Sequence, residues 1–454
     1  MPDTAGRDAK PGLRDVFNIA WPLTLMAMML NGIVVIDAYL VSSLGEEALA
    51  AMGLATAFGS LLLGVLFAFS TATQIRIAQA YGSERPFALK TGAYAGLAIN
   101  LAAAGLGVCI VWIISGPLID SFAHTAWIAR QARNYLGVFM ILIMIEAVAQ
   151  CLSSYFNGRG KSIMPFRSYL IAVPVNVTVS YTLIHGNFGF PAFGVMGAAM
   201  GSVVASWARA TFLCVGFYRM TKAHLDEDGW LNGTFLLSVR RHLVFALPIA
   251  GTFISNAIAT AVLGLLFAKL SVNQFAAMTL ITPWINLTGH IGTSIAQASG
   301  IIVAQLLGRN LPGGDIDAFL GRAWRMAFVA AALVSLTYLG ICLASQKIYG
   351  NLEPETQRAL ISFLPVLLLL PFPKGSNAMC GHTLRAGGDT LYVMNIFVFA
   401  QWMFRVPLTA LFILYLDLSV TWVFALFLAE ELVKLPPFHR RLFKGKWKRQ
   451  LDEG

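Results

Sequence analysis

The sequence predicts an all-α integral membrane protein with twelve transmembrane helices in two six-helix bundles, and three observations carry that prediction. Of its 454 residues 57% are hydrophobic and only 12% charged, with a mean hydropathy of +0.70, whereas a soluble domain carries about 25% charged residues. Apolar stretches of the length a helix needs to cross roughly 30 Å of hydrocarbon recur along the whole chain, leaving no room for a soluble domain. The pattern also repeats itself at a fixed offset of 226 residues.

The expected spans are 16–42, 48–78, 91–115, 128–156, 164–185 and 194–219, then 242–269, 274–307, 319–345, 359–384, 389–415 and 418–435. The first follows a polar stretch, MPDTAGRDAKPGLRD, and ends without a small-residue cleavage site, so it is expected to remain as a helix rather than act as a signal peptide. The fifth carries Pro174, and the sixth is entered through NFGFPAFG. A polar segment, KAHLDEDGWLNG, separates the sixth from the seventh. The tenth contains LLLPFPKGSNAMCGHTLRAGG, where prolines and glycines break a regular helix. The twelfth runs into a basic tail, HRRLFKGKWKR, read as a topology anchor in reach of anionic lipid.

The repeat registers without gaps. Pro22 maps onto Pro248, Ala50-Ala51-Met52 onto Ala276-Ala277-Met278, Ala78-Gln79 onto Ala304-Gln305, Gly82 onto Gly308, Pro86 onto Pro312 and Arg159 onto Arg385. Matches of Pro, Gln and Arg at one offset are not expected by chance in so apolar a chain. The expected division is an N-terminal lobe at 1–222, a cytoplasmic linker at 223–240 and a C-terminal lobe at 241–454. An even number of spans per copy gives both copies the same orientation, the parallel repeat arrangement of secondary transporters with alternating access. The chain contains no GxxxxGK[ST] phosphate loop, so an ion gradient is the expected energy source.

A formal net charge of +10 raises the possibility of nucleic acid, and its placement decides against it. With the N-terminus inside, Arg130, Arg133, Lys269, Lys347 and Arg358 fall outside, Arg209, Lys374 and Arg405 fall within spans, and the remaining Lys and Arg lie on the inner side. That is a positive-inside distribution with both termini cytoplasmic, in a cell (cytoplasmic or inner) membrane. The five cysteines all fall within spans and are expected to be buried free thiols, with no disulfide and no metal site.

An ionisable group inside the bilayer is costly and is a functional candidate by default. Asp37, in GIVVIDAYLV, is the leading one. A carboxylate in low dielectric is a reversible proton site, and with neighbouring carbonyl or amide oxygens a Na⁺ site. Pro22, earlier in the same helix, lacks a backbone donor and allows a bend that couples the site to helix shape. The alternative is that Asp37 merely reaches interfacial water. On span five Asn176 and Ser180 share a face, and span six adds Ser202, although small hydroxylated residues also serve helix packing. Lys374 and Arg405 are expected to hold an anionic substrate group, or Lys374 to act as an internal cation alternating between partners, the alternatives being that each snorkels or pairs with an acid such as Glu146 or Glu430. Arg209 is read as snorkelling towards the inner surface. His290 titrates near neutrality or is hydrogen-bonded in the bundle, and Trp284 lines a cavity or packs.

These residues resemble the multidrug and toxic compound extrusion (MATE) transporters, within the MOP flippase superfamily. The resemblance covers essentially the whole chain and rests on WPLTLMAMMLNGIVVIDAYLVSSLGEEALAAMG, AQAYGSERP, FNGRGKSIMP, NFGFPAFGVMGAAMGS and CGHTLRAGGDT, in that order, together with the duplication. It implies export of amphiphilic compounds against inward H⁺ or Na⁺, without a cofactor, by a protein expected to be a monomer. It also implies that Asp37 is the first-helix acid, with Asn176, Ser180 and Ser202 as its cation-site neighbours. Ser180 stands where the family often has a second carboxylate, which tilts the expectation towards H⁺. Asn256 and Lys374 stand where one subfamily has Glu and Asp, which removes that branch's second cation site and allows an anionic substrate. A lipid-linked precursor flippase of the same superfamily is the alternative. An intramembrane enzyme is disfavoured, because the one acidic cluster, Asp226-Glu227-Asp228, lies in the linker and lacks DDxxD spacing.

Overall fold

Twelve helical rods account for nearly the whole chain in the computed structural model, which describes residues 11–221, 235–350 and 352–451. The first six are α1 (Leu13–Ser42), α2 (Glu46–Gly82), α3 (Pro86–Phe122), α4 (Ala126–Gly158), α5 (Ile163–His185) and α6 (Val195–Thr221). Then come α7 (Phe235–Phe267), α8 (Val272–Gly308) and α9 (Gly313–Tyr349). The tenth rod is broken into α10 (Pro354–Ser362), α11 (Leu364–Leu369) and α12 (Pro371–Ala386), with a 44° bend at the second break. Pro365, Pro371 and Pro373 explain the breaks, since each withholds a backbone donor. The eleventh is α13 (Thr390–Phe399), a π-helical turn at Ala400–Arg405 and α14 (Val406–Leu414), and the twelfth is α15 (Val420–Phe443). Among the described residues nine rods are long and apolar enough to cross a membrane and the bent tenth makes another; α5 and α15 are the more polar two. The expected linker, 223–240, falls largely on residues 222–234, outside the described residues, and α7 already begins at Phe235.

The duplication is visible in the backbone. Helices α2 and α8 each have 37 residues and start and end 226 positions apart. After each comes a residue held in the left-handed region, Glu84 at φ 56° and Asn310 at φ 53°, at the same offset. Large apolar side chains such as Trp112, Ile113 and Leu343 point outward, which satisfies a chain whose outer neighbours are lipid.

The chain divides into two compact units, Leu25–Phe253 and residues 11–24 with Ile254–Leu451. In the first, α2 packs on α3 and α4, α4 on α6, and α6 on α5, around a core that includes Met52, Tyr135, Phe139 and Ile143. Where α5 meets α6, Gly197 and Gly201 form a GxxxG face that lets the two backbones approach. A Cβ on Gly201 would sit 2.7 Å from the Ser180 backbone nitrogen, and one on Gly197 would sit 2.6 Å from the Leu183 carbonyl carbon. In the second unit, α12 packs on α8, α9 and α15, over a core built on Met278, Tyr338, Phe363 and Phe424.

One expectation needs correction. Cys151, Cys342 and Cys380 are buried, but Cys109 and Cys214 are exposed on the helix surface, because in a bilayer an apolar thiol is shielded by lipid as well as by protein. The basic tail, read as a topology anchor, packs against the protein. Trp447 is fully buried and its indole donates to Leu442 O at 2.9 Å, Arg441 and Arg449 both reach Asp389, and Lys448 pairs with Asp317 at 2.6 Å.

Because α5 and α6 touch backbone to backbone, Gly201→Ala is expected to force them apart. The cost is about 1–3 kcal/mol, read as a lower unfolding temperature of the purified protein in detergent; an unchanged temperature would refute the close-packing account.

Candidate cation site and the buried charge networks

Three helices of the first unit bring the four expected cation-site residues together. The Asp37 side chain, on α1, is buried at 6% exposure. Ser202 on α6 donates to Asp37 Oδ2 at 3.0 Å and Ser180 on α5 donates to Oδ1 at 3.5 Å. Asn176, one turn before Ser180, donates through Nδ2 to Ser202 Oγ at 3.0 Å. The glycine contact described above makes this possible, since Gly201 beside Ser180 lets α6 come near enough for Ser202 to reach the same carboxylate. Asn176 Oδ1 is fully buried and has no hydrogen-bond partner. A buried acceptor left unmatched is costly in an apolar interior. Pro22 lies inside the continuous helix α1, fifteen residues before Asp37.

Glu146 belongs to a different cluster. Its Oε2 pairs with Arg209 Nη1 at 2.5 Å and its Oε1 accepts from Ser206 Oγ at 2.9 Å. Arg209 Nη2 also donates to Ser153 Oγ at 3.1 Å, and its guanidinium lies 4.3 Å over the Tyr169 ring. At 2% exposure Arg209 does not snorkel. It is held inward by a bidentate set of acceptors and an aromatic face, which a guanidinium suits better than any other cation.

In the second unit the charges form one network on α12, α15 and the π turn. Arg405 pairs with Glu430 at 2.9 Å and covers the Phe427 ring at 4.0 Å. Lys434 bridges Glu430 at 3.2 Å and Glu431 at 2.8 Å, and Asn377 Nδ2 donates to Glu431 at 2.8 Å. Lys374 carries no hydrogen bond or ion pair among the described residues, yet it lies within electrostatic reach of Glu431, Lys434, Arg405 and Glu430. Its ammonium stands 3.7 Å from where a Cβ on Gly289 would be, beside the half-buried His290. Two carboxylates thus face three cations, and Lys374 is the one left over.

The remaining expected cavity residues do not join this network. Asn256 accepts from Gln401 at 2.9 Å, and Trp402 donates to Ser255 at 2.9 Å. Trp284 donates to the Tyr349 hydroxyl at 2.7 Å. Sequence reasoning missed Glu431, Lys434 and Gln401. The first two carried a signal, acids three and four residues before a lysine in an apolar helix; Gln401 depends on the π turn that rotates it inward, a geometry with no sequence mark here.

The MatE family model matches residues 22–182 and 248–411, two segments that begin at Pro22 and Pro248 and together cover well over half of the chain. The chain belongs to the MATE family of membrane transporters. It is 22% identical over 95% of its length to an uncharacterized transporter, YisQ, of Bacillus subtilis, covering 94% of that protein. It is 25% identical to a probable multidrug resistance protein, NorM, of Streptococcus pneumoniae strain R6, over 70% of this chain and 69% of that one. Among solved structures, the eukaryotic MATE transporter AtDTX14 superposes with a TM-score of 0.82 at 18% identity, covering 96% of each chain. A MATE protein is a multi-pass transporter of small molecules and not an enzyme, and it needs no cofactor.

If Glu146 and Arg209 compensate each other's burial, Arg209→Met alone leaves a buried carboxylate unpaired. It is expected to cost about 3–5 kcal/mol, while Arg209→Met with Glu146→Leu recovers most of that. Thermal unfolding of both variants in detergent checks this, and equal losses in the two would exclude the pairing as the cause.

Proposed function

We propose that this MATE transporter is an antiporter exporting amphiphilic small organic compounds against inward protons, with Asp37 as the coupling site. The carrying observation is the buried Asp37–Ser202–Asn176 chain with its unmatched Asn176 Oδ1. The hydroxyls of Ser202 and Ser180 point protons at the carboxylate, which suits a group that alternates between anion and acid. Asp37 is the one carboxylate among these four residues, with Ser180 standing where a second would strengthen a Na⁺ site, so H⁺ is the preferred ion.

The proposed cycle binds a proton at Asp37 from outside, changes the shape of α1 about Pro22, and lowers substrate affinity so that substrate leaves outward. Such antagonism needs a coupling of about 1–3 kcal/mol between the two ligands, and a potential of 100 mV adds about 2.3 kcal/mol per charge moved. Alternating access is proposed to use lobes 1–222 and 241–454, joined by the linker at 223–240, in a monomer in the cytoplasmic membrane with both termini inside. The relatives named as multidrug resistance proteins support a broad substrate range. The uncompensated ammonium of Lys374, with Arg405 already engaged by Glu430, supports a substrate that bears a negative group.

The test is uptake into proteoliposomes of matched cationic and anionic fluorescent compounds, under an imposed pH gradient without Na⁺. Asp37→Asn is expected to fold normally and to lose gradient-driven transport, and full transport by that variant would sink the coupling proposal. Anionic compounds are expected to move in the parent protein and to lose about tenfold or more in rate in Lys374→Ala, the size of one charge-assisted contact; movement of cations alone would reject the anionic-substrate proposal.

A further inference from the structure

Within the Leu25–Phe253 unit, a cavity of about 380 Å³ lies where α2 ends and α3 begins, closed on one side by the first turns of α7. It is remote in sequence from Asp37 and its partners, and none of those residues lines it. Its walls carry two guanidiniums, Arg76 and Arg85, against the single carboxylate of Glu84, together with Thr91, Ser238 and His242. Among the described lining residues the guanidiniums outnumber the carboxylate two to one, and each of these three groups also takes part in local interactions.

Two further features point to an absent partner. Thr91 Oγ1 and His242 Nδ1 are buried atoms without a hydrogen bond, in residues only 7% and 1% exposed. His242 is fixed from behind, its Nε2 lying 3.1 Å from Thr73 Oγ1, so the orphan nitrogen is the one left for the cavity. Phe87 and Ala88, in the first turn of α3, also line the space, and Arg85 at the N-cap provides no side-chain cap. Pro86 has no N–H, so the backbone N–H groups of Phe87 and Ala88 and the positive end of a 37-residue helix lie at this space.

We propose that this cavity is a phosphate-binding site, filled by the phosphate of an anionic lipid headgroup or by a free phosphate. Forked guanidiniums and a helix N-terminus hold phosphate oxygens well. Phosphate also fits both tautomers of His242, since its oxygens accept from an N–H and a phosphate or headgroup hydroxyl donates to a lone pair. The site lies on the side of the membrane where the N-terminal end of α1 begins, because α2 returns the chain to it, so a headgroup of that leaflet reaches it without crossing the bilayer.

The purified full-length protein in detergent is titrated with inorganic phosphate at matched ionic strength, following thermal unfolding. In parallel, lipid retention is read by native mass spectrometry after exposure to phosphatidylglycerol or phosphatidylcholine. Arg85→Gln, at an exposed position, and His242→Gln are compared with the parent. Stabilisation by phosphate that weakens about tenfold in the variants supports the site with free phosphate as occupant. Selective retention of phosphatidylglycerol, weakened to the same degree, supports it with a lipid headgroup. Neither ligand being held, or the folded Arg85→Gln protein holding both as the parent does, overturns the proposal. Both readouts are of binding, so they stand apart from the coupling proposed at Asp37.

Discussion

A bilayer offers no hydrogen bonds, and that single deficit governs the polar chemistry of this protein. Every charged or polar group buried in a span must be matched from within the chain or by a transported ligand. Arg209 is matched by Glu146, Ser153 and the Tyr169 ring, with only its Nε left without a partner. Arg405, Glu430, Glu431 and Lys434 match one another across α15 and the π turn. Against that background the incomplete groups stand out. Asn176 Oδ1 beside Asp37 lacks a partner, and Lys374 lacks a counter-ion contact.

The same constraint explains the glycines. Hydroxyls are short, so Ser180 and Ser202 reach one carboxylate only if their helices nearly touch, and Gly201 and Gly197 remove the side chains that would hold α5 and α6 apart. Packing and chemistry are therefore one feature here. A change that widens the helix pair also dismantles the hydrogen bonds around Asp37.

Duplication supplied two copies of the scaffold, and the copies then diverged in charge. Helix lengths, the left-handed residues after α2 and α8 and the prolines of α1 and α7 persist at the repeat offset. The polar contents do not. The first unit holds Asp37 among neutral partners and, apart from it, the paired Glu146 and Arg209, whereas the second holds an ion-pair network with an extra cation. Scaffold positions answer to helix geometry, which both copies share, whereas interior charges answer only to their ligands.

Hydropathy and the 226-residue repeat determined by themselves the twelve rods and their approximate ends and singled out Asp37 as an acid within a span, whereas grouping it with Asn176, Ser180 and Ser202 came from the resemblance to MATE transporters. The spans are legible because they answer to the bilayer thickness, and the shared face of Asn176 and Ser180 because i, i+4 spacing on one helix is local. Tertiary structure alone decided which charges meet. That Arg405 takes Glu430 while Glu146 takes Arg209 depends on which helix faces touch. That Cys214 is exposed, that the tail docks on Asp389, and that Thr91 and His242 line one cavity depend equally on contacts between residues far apart in the chain. Such contacts are set by the packing of whole helices, including a bend at Pro371 and a π turn at Ala400–Arg405, and no local pattern encodes them.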